Sequence, residues 1–151
     1  DVIHRVTTSH SAIARITKEV LEDFERENVA YLELRTTPKN RPEVSMTKRS
    51  YVEAVLQAMK EYNHQGAEID GAKPIRSLMA RLLLSIDRRE TSDAALETVQ
   101  LAASLQKQGV VGIDLSGNPT VGEWGTFEPA LVLARDLGLK VTVHCAEVHN
   151  P

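Results

Sequence analysis

The sequence predicts an α/β fold, a partial (β/α)8 TIM-type barrel of about four strand-helix units. Three observations carry this. Short aliphatic runs alternate with helical patterns along the chain. Each run is aliphatic on one parity and turns polar on the other toward its carboxyl end. Capping and turn residues separate the elements at a regular pitch.

The first helical pattern places Ile13, Ile16, Val20, Leu21 and Phe24 on one face, and Asn28 ends it. The first strand is Ala30–Arg35. Val52, Val55, Leu56 and Met59 repeat the helical spacing, and the polar segment Gly66–Ser77, with Gly71 and Pro74, reads as a surface insertion. The second strand is Leu82–Asp87. Thr91, Ser92 and Asp93 supply a cap and a first-turn acid for a helix over Ala94–Gln108. Gly109 stops it in a left-handed cap, and the third strand, Val110–Leu115, follows. A helix over Glu128–Leu137 has Pro129 near its start, where a missing N–H costs little. Gly138 closes it ahead of the fourth strand, Lys140–Cys145.

Strand parity separates a barrel from an open sheet. Leu32 and Leu34, Leu82, Leu84 and Ile86, Val111, Ile113 and Leu115, and Val141 and Val143 form one aliphatic set. Glu33 and Arg35, Ser85 and Asp87, Asp114 and Ser116, and Thr142 and His144 form the other. Strands of a doubly wound sheet are covered by helices on both faces and read apolar on both. Here one face packs on helices and the other becomes a polar interior at the carboxyl ends, where a β/α barrel places its active site. Asp114 and Glu33–Arg35 are assigned to that buried polar network. Trp124 is expected to pack.

The 151 residues suffice for a sizeable core, and 42% hydrophobic with 26% charged residues is ordinary globular composition. A net charge of −3 argues against a nucleic-acid surface, and no apolar run approaches the ~18 residues of a membrane span. The single cysteine, Cys145, excludes an internal disulfide framework and fits a reducing, cytoplasmic setting. It also excludes a cytidine-deaminase zinc site, which needs a Pro-Cys-x-x-Cys pair. There is no phosphate-binding Gly-x-x-x-x-Gly-Lys loop and no Gly-x-Ser-x-Gly elbow. The chain opens on Asp1 without a Met and stops at Pro151 just past a strand. The expectation is therefore the central segment, residues 1–151, of a longer barrel domain whose amino- and carboxyl-terminal parts are missing.

The strongest local signal is Val141-Thr142-Val143-His144-Cys145-Ala146-Glu147. An inward histidine at a strand end can ligate a metal ion, and a carboxylate three residues on can move a proton at a metal-activated water. A histidine bonded to a carbonyl beside a solvated glutamate is the competing reading of the spacing.

Four segments in order resemble the adenosine/AMP deaminase family, and most nearly its adenosine deaminase-like N(6)-methyl-AMP deaminase branch. They are Tyr31-Leu32-Glu33-Leu34-Arg35-Thr36-Thr37-Pro38-Lys39, Leu83-Leu84-Ser85-Ile86-Asp87-Arg88-Arg89, Val111-Gly112-Ile113-Asp114-Leu115-Ser116-Gly117-Asn118-Pro119 and His144-Cys145-Ala146-Glu147. The resemblance implies a metal-dependent hydrolase barrel with His144 as one zinc ligand and Glu147 as the catalytic proton donor. It implies substrate contacts at His4, Thr36, Thr37, Pro38, Lys39, Asp87, Gly117 and Glu147. The family's His-x-His pair, its later histidine and its metal-binding aspartate are absent, so one Zn2+ is expected with its remaining ligands outside this segment. Adenosine deaminases carry His-Ala-Gly-Glu where this chain has Ala146, which places a nucleoside substrate in doubt.

The implied positions make physical sense, each beside a plainer account. Gly117 lets a flat purine edge approach its N–H, or is a turn glycine. Two hydroxyls and an ammonium in Thr36–Lys39 suit a phosphate, or Lys39 is a solvated loop lysine. His4 lies near a helix start, where a surface or capping role also fits. Asp87 is equally placed to pair with Arg88 or Arg89.

The expected function is zinc-dependent hydrolytic deamination of a small purine nucleotide, with N(6)-methyl-AMP giving IMP and methylamine. An adenosine or AMP deaminase is the nearest alternative. From another class comes a non-catalytic truncated barrel that only binds partners. The parent enzyme is expected to be a monomer, and the isolated segment inactive.

Overall fold

The structure, a computed structural model of the chain, describes residues 6–65 and 78–149. His4 and the segment 66–77 lie outside the described residues. The chain divides into two compact units, Asp1–Glu33 with Lys39–Ala80, and Leu34–Pro38 with Arg81–Pro151.

The first unit is built on helix α1 (His10–Arg26) packed against α2 (Lys48–Gln65). Ser9 caps α1 by accepting the Ala12 N–H at 3.2 Å. Asn28, at φ 61°, takes the left-handed position that ends it. Thr47 and Ser50 cap α2 reciprocally, each side-chain oxygen accepting the other's N–H at 3.1 and 3.0 Å. Val52, Val55, Leu56 and Met59 are buried as their spacing requires. On α1 the expected face is shifted. Thr17 is buried and donates to the Ile13 carbonyl at 2.8 Å, while Phe24 is exposed in the last turn.

The sheet runs in the order β1 (Tyr31–Thr36), β2 (Met79–Asp87), β3 (Val110–Ser116), β4 (Lys140–Val143). The pairs β2–β3 and β3–β4 are parallel. Each strand lies beside its predecessor, with none of the reversal that marks a doubly wound sheet. This is a partial α/β barrel. In the second unit α3 (Ser92–Ser104) and α4 (Trp124–Asp136) pack on each other and on β3. Leu82, Leu84, Ile86, Ile113 and Leu115 are fully buried beside Val99, Ala102, Phe127 and Ala134.

Three expectations are corrected. Leu82 pairs with Val110 and Leu83 with Gly112, so Val111 is the extra residue of a bulge. Val110 takes the buried place assigned to Val111. Helix α4 starts at Trp124, four residues before the expected Glu128, so Pro129 lies inside it. Trp124 does not pack: as the first helical residue it is 52% exposed, and Phe127 fills the core instead.

Candidate active site

The sheet register brings Ser85, Asp114 and Thr142 into one lateral row, since Ser85 pairs with Asp114 and Asp114 with Thr142. Two residues beyond Thr142, on the same face, stands His144. It has left strand β4, yet its N–H still bonds the Leu115 carbonyl at 2.9 Å. The ladder thus holds the histidine at the carboxyl end of the sheet.

Asp114, only 1% exposed, is the hub of the row. Its Oδ1 accepts from Thr142 Oγ1 at 2.8 Å and His144 Nδ1 at 3.0 Å. Its Oδ2 accepts from Ser85 Oγ at 3.2 Å and Arg35 Nη1 at 3.3 Å. A buried carboxylate survives only when its lone pairs are met, and here four donors meet them. The expected polar network is thereby present for Asp114 and Arg35. Glu33 is not part of it, being exposed and bonded to its neighbour Tyr31 at 2.7 Å.

An ionised carboxylate only accepts, so the Asp114 bond puts the imidazole proton on Nδ1 and leaves a lone pair on Nε2. That lone pair meets Arg35 Nη1, a cationic donor. The donor chemistry suits a metal ion: a histidine whose far nitrogen is anchored on a carboxylate is the usual form of a metal-ligating imidazole. Among the described residues no three His, Cys, Asp or Glu side chains cluster for a metal, so His144 stands as a single candidate ligand.

The loops at this end are tied to the same histidine. Arg88 Nη2 donates to the His144 carbonyl at 2.6 Å, a contact between residues 56 positions apart that no local pattern in the sequence marks. Asp87 instead binds Arg89, through Nη2 at 2.5 Å, Nε at 2.9 Å and the backbone N–H at 2.9 Å. Gly117 has φ 101°, and a Cβ there would lie 2.7 Å from Asp87 Oδ1. The turn and the aspartate therefore demand glycine before any ligand is considered. Beyond His144, Cys145 is exposed, Ala146 has φ 57°, and Glu147 is exposed in the following bend.

Pro38 is buried, with Thr36 and Thr37 half-buried. Lys39 belongs to the first unit, where its Nζ donates to Thr7 Oγ1 at 2.6 Å. Burial, and secondarily the charge of Arg41, hold its pKa below the ordinary lysine value. It is not the freely solvated loop lysine of the plainer account.

Sequential strand order and a polar row ending in an anchored histidine at the carboxyl end of the sheet fit a segment of a β/α-barrel enzyme. The whole chain, residues 1–151, matches the adenosine deaminase family, and it belongs to that family. It is 52% identical to the N6-mAMP deaminase of Arabidopsis thaliana, over all of this chain and 46% of that protein. Its structure is similar to that of Arabidopsis ADAL complexed with IMP, at TM-score 0.90 and 56% identity, covering 100% of this chain and 44% of the other. An amidohydrolase from Burkholderia ambifaria, solved with bound zinc, is similar at TM-score 0.77 and 26% identity over 93% of this chain and 36% of its own. The chain thus spans less than half the length of these relatives. No described helix is long and apolar enough to cross a membrane.

Proposed function

We propose that this chain is part of a zinc-dependent purine nucleotide deaminase that converts N(6)-methyl-AMP to IMP and methylamine. The observation that carries this reading is the His144–Asp114 pair at the carboxyl end of the sheet, which leaves the ring's lone pair on Nε2, where Arg35 Nη1 meets it and must yield to a metal ion. Support comes from the family, from a relative named N6-mAMP deaminase and from a similar structure that holds IMP, the product of that reaction.

In this reading His144 holds the zinc through Nε2, with the other ligands supplied from outside this chain. When bound, the ion supplies an activated water for attack on the six-position carbon of the purine. Glu147, exposed in the bend beyond His144, protonates the adjacent ring nitrogen, and the amine leaves. Gly117 and Asp87 face the base, as His4 does by resemblance. The phosphate sits at the Thr36–Lys39 turn, where a desolvated lysine repelled by Arg41 gains from a nearby anion.

The test is an assay of the full-length protein that carries this chain, with N(6)-methyl-AMP, AMP and adenosine compared and metal content measured. The expected result is zinc and IMP formation with a preference for N(6)-methyl-AMP. A folded protein with no zinc and no turnover of any of the three would sink the proposal and favour a binding protein.

A further inference from the structure

We infer that Asp114 is a positioning residue for the metal ligand, holding His144 in the tautomer that presents Nε2, while Arg35, Ser85 and Thr142 hold the carboxylate itself. This rests on the reading of His144 as a zinc ligand.

Three strands converge on one carboxylate: β1 through Arg35, β2 through Ser85, and β4 through Thr142 and, just past its end, His144. The Asp114 side chain is 2% exposed and that of Arg35 45% exposed, so the pair is a buried anion met by a partly solvated cation. Such an arrangement is a poor device for stability alone, because burying a carboxylate costs several kcal/mol and well-packed apolar residues commonly do as well. It is well suited to fixing a neighbour. Ser85 and Thr142 lie directly across the register on either side, and their hydroxyls rotate to donate. With both oxygens held, Oδ1 faces Nδ1 of His144 at 3.0 Å and only the Nδ1–H tautomer satisfies it. Without that acceptor the ring keeps only Arg35 Nη1, a donor within reach of both ring nitrogens, so nothing confines the imidazole proton to Nδ1.

The substitutions differ in a predictable way. Asparagine at 114 can still accept from Nδ1–H with its single oxygen. Its amide then faces Arg35 and Ser85 with donors, which Ser85 can accommodate by turning its hydroxyl and Arg35 cannot. Alanine removes the acceptor altogether.

The experiment uses the full-length protein that carries this chain. Zinc affinity is measured by chelator competition for the wild type, Asp114→Asn, Asp114→Ala and His144→Ala. The His144 tautomer is read from 15N shifts in the metal-free protein. Partners that orient a metal-bound histidine are worth about 10- to 100-fold in metal affinity. Zinc binding should therefore weaken about 10-fold in Asp114→Asn and about 100-fold in Asp114→Ala, and the Nδ1 proton should be partly lost in the alanine variant. Excess zinc should restore turnover with the nucleotide KM unchanged, which a general loss of structure would not allow. If the alanine variant does not fold, the asparagine variant decides. Zinc affinity within about threefold of wild type in either folded variant overturns the inference. If His144→Ala loses zinc while the Asp114 variants keep it, only this inference falls. If His144→Ala keeps zinc, the ligand assignment falls and this inference falls with it.

Discussion

Gly117 and Asp87 share a space that holds no more than a hydrogen: a Cβ on the glycine would sit 2.7 Å from Oδ1 and 3.0 Å from Cγ of the aspartate. The aspartate cannot step aside freely, because Arg89 grips both of its oxygens. At φ 101° the glycine also occupies backbone space that other residues enter at a cost of about 1–2 kcal/mol. Gly117→Ala should therefore destabilise the folded protein by at least about 2 kcal/mol in a denaturant titration. A loss under about 0.5 kcal/mol would show that this turn rearranges at little cost.

Ala146 presents the opposite case, a side chain in left-handed backbone at φ 57°. Glycine there relieves about 1–2 kcal/mol of strain, offset by about 0.4–1 kcal/mol from the greater freedom of the unfolded chain. Ala146→Gly should leave stability unchanged or raise it by up to about 1 kcal/mol. A clear loss of stability would contradict the backbone conformation between His144 and Glu147.

For Glu147 and His144 the measurement is metal content beside turnover in the full-length protein. Glu147→Gln keeps size and shape but carries no proton. It should retain zinc while kcat falls by about 10²–10⁴. His144→Ala should lose the metal itself. Zinc loss in Glu147→Gln would make the glutamate a ligand, and near-normal turnover would remove it from the mechanism.

Lys39→Ala should cost roughly 10- to 150-fold in kcat/KM for the monophosphate and little for the nucleoside, since a charge-assisted contact contributes about 1.5–3 kcal/mol. Burial and then Arg41 lower the Lys39 pKa, so its charge is lost at a lower pH than that of an exposed lysine. The advantage of the monophosphate should accordingly decline as pH rises through that lowered value, before ordinary lysines titrate. For folding the sign is reversed. The unfolded chain holds the proton more tightly, so this group's contribution to stability grows as pH rises between the two values. Equal losses for nucleotide and nucleoside would separate Lys39 from the phosphate.

The 151-residue chain by itself should take up no stoichiometric zinc, because the described residues bring no third donor to His144. Equilibrium dialysis against buffered zinc checks this. Tight one-to-one binding would place further ligands within this chain.

What the amino-acid order determined by itself was local and periodic. Asn28 and Gly138 ended helices where their left-handed backbone is cheap, and Thr91 capped α3, because capping depends on atoms within a few residues; α3 itself stops at Ser104, short of the expected Gln108, and Gly109 closes the 3-10 turn Gln106–Gln108 that follows. Aliphatic runs located all four strands, and parity gave the more buried side of each except at the start of β3, since side chains alternate with period two. The family was also legible, from motifs lying wholly within single strands and their exits.

Tertiary structure decided what depends on register between strands. The bulge at Val111 shifts the later pairings of β3 with β2 by one residue and sets Asp114 beside Ser85, while the regular β3–β4 register sets it beside Thr142. The same geometry makes Asp114 the partner of a histidine 30 positions away, gives the His144 carbonyl to Arg88, and leaves Asp87 to Arg89. Trp124 lies in the open and Thr17 is buried because one begins a helix at its solvent end and the other lies on the face α1 packs inward. Local propensities act over three or four residues and cannot choose among such pairings. The lateral contacts of a sheet join residues tens of positions apart, and their free energy is gained only once the chain has closed around them.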